Sequence, residues 1–203
     1  MGAFKEIRNF SMIICLIIMT GFNAFADEIS ADLLSKSLEL HQTYESDSKT
    51  IAIIDLRKPS TEKRLWVVDV DAQTVVLNTL VAHGRNSGGN YATSFSNTDG
   101  SHQTSLGMYK VLGLHMSPKH GRSLLLEGLD QGLNHRARAR EIIMHGAWYV
   151  SDAFIKAHGR LGRSFGCPSV PKDEIEPMIR LLPKGSLLYI YHAQLDEIST
   201  NLP

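Results

Sequence analysis

From Thr50 onward the chain is cut into short β-branched and aliphatic runs: TIAIIDL, RLWVVDV, TVVLNTLVAH, SLGMYKVLGL, RSLLLEGL and EIIMHGAW, with SLLYIYHA closing the series. Runs of this length, separated by Gly, Asn, Asp and Ser, are too short for core helices and suit strands of a mainly antiparallel sheet. The pattern predicts a mainly β domain with a few short helices, an α+β chain, over residues 50–195. Ahead of it, DEISADLLSKSLELHQTYESDS spaces Ile29, Leu33, Leu34, Leu38 and Leu40 along one helical face with Ser30 as cap, so 27–49 is expected to be a helical segment packed at the domain's edge. A short helix should follow HGAWYV, capped by Ser151 and stopped by a left-handed Gly159. Another should begin near Pro171, with Ile175, Met178, Ile179 and Leu182 on one stripe and a kink at Pro177. Residues 196–203 are read as a C-terminal tail, and no repeat or second domain is visible.

The first residues have a different character. Lys5 and Arg8 precede the apolar run FSMIICLIIMTGF, and AFA at Ala24 to Ala26 supplies an A-x-A cleavage site. That is the pattern of a signal peptide over residues 1–26, and it implies export. Cys15 would leave with it, so the mature chain keeps one thiol, Cys167. In an oxidising compartment an unpaired thiol is exposed to mixed disulfides and overoxidation, which leaves two readings: a small buried hydrophobe or a nucleophile in use. Lys+Arg 21 balance Asp+Glu 21, which excludes the basic footprint of a nucleic-acid binder and any electrostatic membrane anchor beyond the signal peptide.

A thiol at its ordinary pKa is only a few per cent ionised near neutrality, so a nucleophilic cysteine needs a base or a positive environment. His145 ends the run EIIMHG just before Gly146, where its ring could face a cleft at the sheet's edge. Gly162, Gly166 and Pro168 bracket Cys167 in GRSFGCPSV, a bent loop whose backbone N–H groups can converge as an acyl-transfer oxyanion requires. His83, in VAHGRNSGG, also ends a strand before a glycine and is a second candidate to line the cleft. Between the third and fourth runs, GRNSGGNYATSFSNTDGSHQTS is long for a loop in a compact domain and is of the kind that carries function or mobility. His83, His102, His115, His135 and Asp99 are metal-ligand types, but neither H-E-x-x-H nor Cys-x-x-Cys spacing is present, so no metal and no cofactor is expected.

MHGAWYV, then GRSFGCPSV, with FSNTDGSHQTSLGMYKV upstream, resembles the L,D-transpeptidase catalytic domain family of bacterial cell-wall enzymes, in its murein branch. The likeness runs from about Thr50 to His192, and its motif of His-Gly, a spacer and Ser/Thr-x-Gly-Cys is met by His145, Gly146, Ser164, Gly166 and Cys167. The resemblance implies Cys167 as nucleophile, His145 as base, and a backbone carbonyl near Ser164 orienting the imidazole. Gly166 and Gly146 would shape the loop or the oxyanion hole, with the Thr-x-x-Gly feature of the family at Thr104 to Gly107. His83, Arg163, Trp148 and Ser169 are the expected substrate contacts. Phe165 stands where many members have a second His and Ser169 where they have Arg, and the spacer between His145 and Ser164 is long at 18 residues. Arg163 or an arginine of NHRARARE is the candidate replacement for the lost guanidinium.

The implied reaction is acyl transfer on peptidoglycan stem peptides by a monomeric periplasmic enzyme. A thioester forms with loss of D-alanine and is resolved by a second stem amine. Hydrolysis by the same site, an L,D-carboxypeptidase, and a non-catalytic cell-wall binding module are the competing expectations.

Overall fold

A computed structural model describes residues 28–200, so the expected signal peptide lies outside the described residues. Helix α1 (Ala31–Thr43) begins where expected, with the Ser30 hydroxyl accepting from the Leu33 N–H at 3.4 Å. Strands β1 (Thr50–Asp55), β2 (Leu65–Asp69), β3 (Thr74–Thr79), β4 (Gly107–Ser117), β5 (Gly121–Gly128), β6 (Ile143–Gly146) and β8 (Leu187–Tyr191) fall on the seven apolar runs. The strand the runs did not reveal is β7 (Ser169–Val170), whose two residues are too few to carry a period.

All eight strands form one sheet in the order β3-β2-β1-β8-β4-β5-β6-β7. Most pairs are antiparallel as expected, but β1 with β8 and β6 with β7 run parallel. Parallel neighbours require a crossover rather than a tight turn, and α2 (Asp152–His158) lies in the connection between β6 and β7. The sheet then curls onto itself. Just past β3, Ala82 pairs antiparallel with Ser169 of β7, its N–H 2.8 Å from the Ser169 carbonyl. This closure brings the loop that carries Cys167 against the start of the long polar loop.

Strand β1 buries Ile51, Ala52, Ile53 and Ile54 in succession, which means both of its faces are covered and explains why its sequence is a continuous apolar run. Ile29 and Leu33 from the N-terminal segment, Met178 from α3 (Ile175–Leu181) and Leu195 from α4 (Gln194–Thr200) join the same core as Trp66, Tyr109, Leu124 and Met144. Helix α2 is capped by Ser151, which accepts from the Phe154 N–H at 3.2 Å, and stopped by Gly159 at φ 70°, both as the sequence indicated.

Two expectations are corrected. Pro177 is the third residue of α3 and does not kink a helix interior, because its missing N–H falls among the first-turn donors that lack partners anyway. The C-terminal tail placed at 196–203 starts instead inside α4, where Asp196 accepts from the Tyr191 hydroxyl at 2.5 Å and pairs with Lys36 of α1.

Candidate active site

The loop GRSFGC owes its shape to two glycines and one serine. Gly162 packs against Tyr149 so closely that a Cβ would lie 2.4 Å from the tyrosine Cβ, and Gly166 sits at φ +121°, where a side chain is strained and would also meet the Gln103 carbonyl at 2.8 Å. The Ser164 hydroxyl accepts the Gly166 N–H at 3.1 Å and donates to the Cys167 carbonyl at 2.6 Å, closing the bend from within. From outside, the Ser164 N–H donates to the His83 carbonyl (3.0 Å) and the Ser164 carbonyl takes the Arg85 N–H (2.8 Å). Thr104 braces both sides, accepting the Gly84 N–H at 2.9 Å and donating to the Gly166 carbonyl at 3.4 Å. The Cys loop is therefore held by the sheet closure at one end and by the first and last residues of the long polar loop at the other.

Cys167 is half-buried and unpaired, and it lines a cleft of about 930 Å³ together with His145. Its sulfur lies 4.0 Å from the Glu141 carbonyl oxygen. Burial pushes the thiol pKa up, while the Ile143 amide, the Arg140 guanidinium and the cysteine's own amide pull the other way. His145, only 1% exposed, stacks face to face on His120 of the β4–β5 turn with ring centroids 3.7 Å apart. Its Nδ1 is 3.2 Å from the Gly146 carbonyl oxygen and its Nε2 is 3.0 Å from the Ser169 hydroxyl. Burial pushes its pKa down to about 4; the Gly146 carbonyl opposes the shift, and His120 and Lys119 add to it. Burial thus favours the uncharged form of both the thiol and the imidazole.

Several sequence expectations move. The carbonyl facing the imidazole belongs to Gly146, not to the neighbourhood of Ser164, whose own carbonyl is engaged by Arg85. The Gly166 N–H is held by Ser164, so Gly166 sets loop geometry and is not an oxyanion donor. His83 does not line the cleft: it is 2% exposed behind the Cys loop, with Nδ1 accepting from Arg64 at 2.8 Å. Ser169 is fully buried against the His145 ring and is no substrate contact. Trp148, 68% exposed, and Arg163, whose Nη1 donates to the Gly88 carbonyl at 2.8 Å, do line the cleft.

Of the arginines in NHRARARE, Arg140 combines a place in the cleft wall with a bracing role, donating to the Ser96 carbonyl at 2.9 Å and the Gln103 carbonyl at 2.6 Å. His120 also borders the cleft and was marked by no motif, and Tyr149, which borders it too, stood within MHGAWYV without being given a role. Among the described residues no group of three His, Cys, Asp or Glu is placed to hold a metal ion.

Two of the buried histidines, His83 and His145, impose a pH dependence on stability. His83 is pushed down to about 3, by burial first and then by the Arg64 charge, and His145 to about 4. Unfolded histidine takes a proton near 6.5, so between 6.5 and these lower values the unfolded chain binds more protons and stability falls with falling pH. Each pH unit of that window is worth about 1.4 kcal/mol per histidine. Urea melts should show a midpoint that drops steeply between pH 7 and pH 4; a flat midpoint would mean that neither ring is held neutral by the fold.

Comparison with known proteins agrees with the motif. The L,D-transpeptidase catalytic domain family matches residues 26–191. No curated protein matches the chain. Among solved structures it is similar to an L,D-transpeptidase from Mycobacterium smegmatis (10% identity, 71% of this chain and 59% of that one, TM-score 0.45). It is also similar to one from Mycobacterium tuberculosis H37Rv (13%, 71% and 58%, 0.46) and one from Stackebrandtia nassauensis (16%, 78% and 64%, 0.43). The chain spans less than two thirds of the length of each of these three proteins. With the family match extending from ahead of α1 to the end of β8, the chain belongs to the L,D-transpeptidase catalytic domain family.

Proposed function

We propose that the chain is an exported, periplasmic, cysteine-dependent L,D-transpeptidase acting on peptidoglycan stem tetrapeptides. The observation that carries this reading is the shared cleft: the Cys167 thiol and the neutral His145 ring line it, and so do Lys119, Arg138, Arg140, Arg163 and Lys172, against Glu141 as the one acid in its wall. A cationic cleft beside a thiol suits a peptide rich in free carboxylates, which stem peptides are.

Cys167 attacks the carbonyl on the L centre of diaminopimelate. The thiol proton passes to His145, the tetrahedral intermediate expels D-alanine with that proton delivered to its amine, and a thioester remains. The amine of a second stem then attacks the thioester, His145 takes its proton, and the thiolate leaves to be reprotonated. Arg140 supports the developing negative charge on sulfur, and the exposed face of Trp148 offers a surface for the incoming stem.

The test is mass spectrometry of the mature protein mixed with a stem tetrapeptide. A covalent tripeptide adduct on Cys167, followed by dimer on adding a second stem, is the expected result. Free tripeptide without dimer would replace the transferase by an L,D-carboxypeptidase, and absence of any adduct would leave a binding module.

A further inference from the structure

His145 is tied into a chain of hydroxyls whose direction can be read from a single carbonyl. The Gly146 oxygen, 3.2 Å from Nδ1, can only accept, so in the neutral ring Nδ1 carries the hydrogen and Nε2 carries the lone pair. The Ser169 hydroxyl, 3.0 Å from Nε2, must then donate to it, and the Tyr149 hydroxyl, 3.1 Å from Ser169 Oγ, donates to Ser169 in turn. Every hydrogen in the series Tyr149, Ser169, His145, Gly146 points the same way. Ser169 is fully buried, and Gly162 seats the Tyr149 ring at the other end, with its N–H on the Tyr149 carbonyl at 2.9 Å. Burial pushes the Tyr149 pKa up, so its O–H remains a donor across the working range.

We propose that Ser169 and Tyr149 are positioning residues of the acyl-transfer reaction: at rest they hold His145 as the Nδ1–H tautomer, and on protonation of Nε2 their hydrogen bonds reverse to receive the new N–H. The inference rests on the reading of Cys167 and His145 as the reacting pair. For Nε2 to take the thiol proton, the Ser169 hydrogen must first leave its lone pair, after which Nε2–H needs an acceptor where a donor stood. Ser169 Oγ supplies it by turning its own hydrogen onto the Tyr149 oxygen, and the Tyr149 O–H swings toward the cleft, whose wall it shares. The ring gains the proton the thiol loses, and within the chain two hydrogens, those of Ser169 and Tyr149, change direction while Nδ1–H stays on the Gly146 carbonyl. A backbone carbonyl alone could not do this, because it has no hydrogen to turn. The position where the family resemblance led us to expect a substrate-binding guanidinium thus serves the base instead.

The two ends of the chain make different predictions. Ser169→Ala removes both the donor at rest and the acceptor after protonation, and should lower the rate of Cys167 acylation at saturating tetrapeptide by roughly 10–100-fold with KM little changed. Tyr149→Phe leaves Ser169 able to donate at rest but gives its hydrogen no acceptor after reversal, so it should slow acylation by roughly 3–10-fold while leaving the resting tautomer intact. Nitrogen NMR of the His145 ring reads the resting state without turnover. Wild type and Tyr149→Phe should show hydrogen on Nδ1 alone, and Ser169→Ala a mixture of tautomers.

The pH profile of acylation should change shape in both variants, measured against the other groups facing the ring or sharing its cleft: His120 stacked on it with Lys119 beside it, and Cys167, His115 and Lys172 in the cleft wall. Should Ser169→Ala raise KM alone, Ser169 is a substrate contact and the proposal is overturned. It is equally overturned if both variants keep wild-type rates and ring shifts. If Ser169→Ala fails to fold, Tyr149→Phe decides: unchanged acylation and pH profile reject the chain. Failure of the wild type to form any Cys167 adduct would instead remove the acyl-transfer reading, and the ring shifts would still report whether the hydroxyl chain orients His145.

Discussion

Cys167→Ser should lower D-alanine release from a stem tetrapeptide by at least about 10³-fold and leave thermal unfolding within about 1 kcal/mol of wild type. The stability half follows from position: the thiol is half-buried with its polar contact to the Glu141 carbonyl at 4.0 Å, so exchanging sulfur for oxygen disturbs little packing. The activity half follows from the base. His145 is held down to about 4 by burial, which makes it a poor acceptor for an alkoxide precursor whose pKa lies far above that of a thiol. His145→Ala should cost a comparable factor, because the thiol then has no ring to receive its proton, and the pH dependence of acylation should flatten. Steady-state release assays with calorimetry on the same preparations check both. A serine variant that still turns over would mean that Cys167 is only a packing residue.

How far the sequence reveals this site depends on which physical signal each residue leaves. Strands β1, β2 and β8 are legible because continuous burial writes continuous apolar runs, and the caps Ser30, Ser151 and Gly159 are legible because their chemistry is local. Cys167 and His145 stand out by motif and do line one cleft. What the sequence conceals are relations created by closure of the sheet. The Ala82 to Ser169 bridge joins segments far apart in the chain, and neither carries a pattern that announces the other. Ser169 consequently looks like an accessible substitute for a lost arginine, whereas closure buries it against His145. His83 looks like a cleft residue for the same reason: it ends a strand before a glycine, but its carbonyl is taken by Ser164 and its ring by Arg64. His120 gives no signal because it sits on the β4–β5 turn and reaches the site only through the fold of the hairpin.

Arg64→Met should destabilise the protein by about 3–5 kcal/mol, although methionine fills much of the same volume and removes a charge from the core. Arg64 is fully buried, and burial brings its pKa down to about 9 despite the favourable field of Asp55. Its guanidinium donates through Nε and Nη2 to the Val81 carbonyl at 3.1 and 2.9 Å, through Nη1 to the Lys58 carbonyl at 2.8 Å, and through Nη2 to His83 Nδ1 at 2.8 Å. Hydrophobic replacement of a buried ion pair is often tolerated because both partners go together; here the acceptors are two carbonyls and a neutral ring, and two of them, on the buried Val81 and His83, stay behind without their donor. The damage also has a direction. Val81 adjoins Ala82, which closes the sheet on Ser169, and the His83 carbonyl holds the Ser164 N–H, so the unpaired groups lie directly behind the Cys loop. Urea melts should therefore lose midpoint, and alkylation of Cys167 under native conditions should accelerate as the loop opens more often than the rest of the chain. A variant with unchanged midpoint would show that the closure stands without the guanidinium. One that is less stable but keeps its native alkylation rate would place the weakened contacts away from the loop.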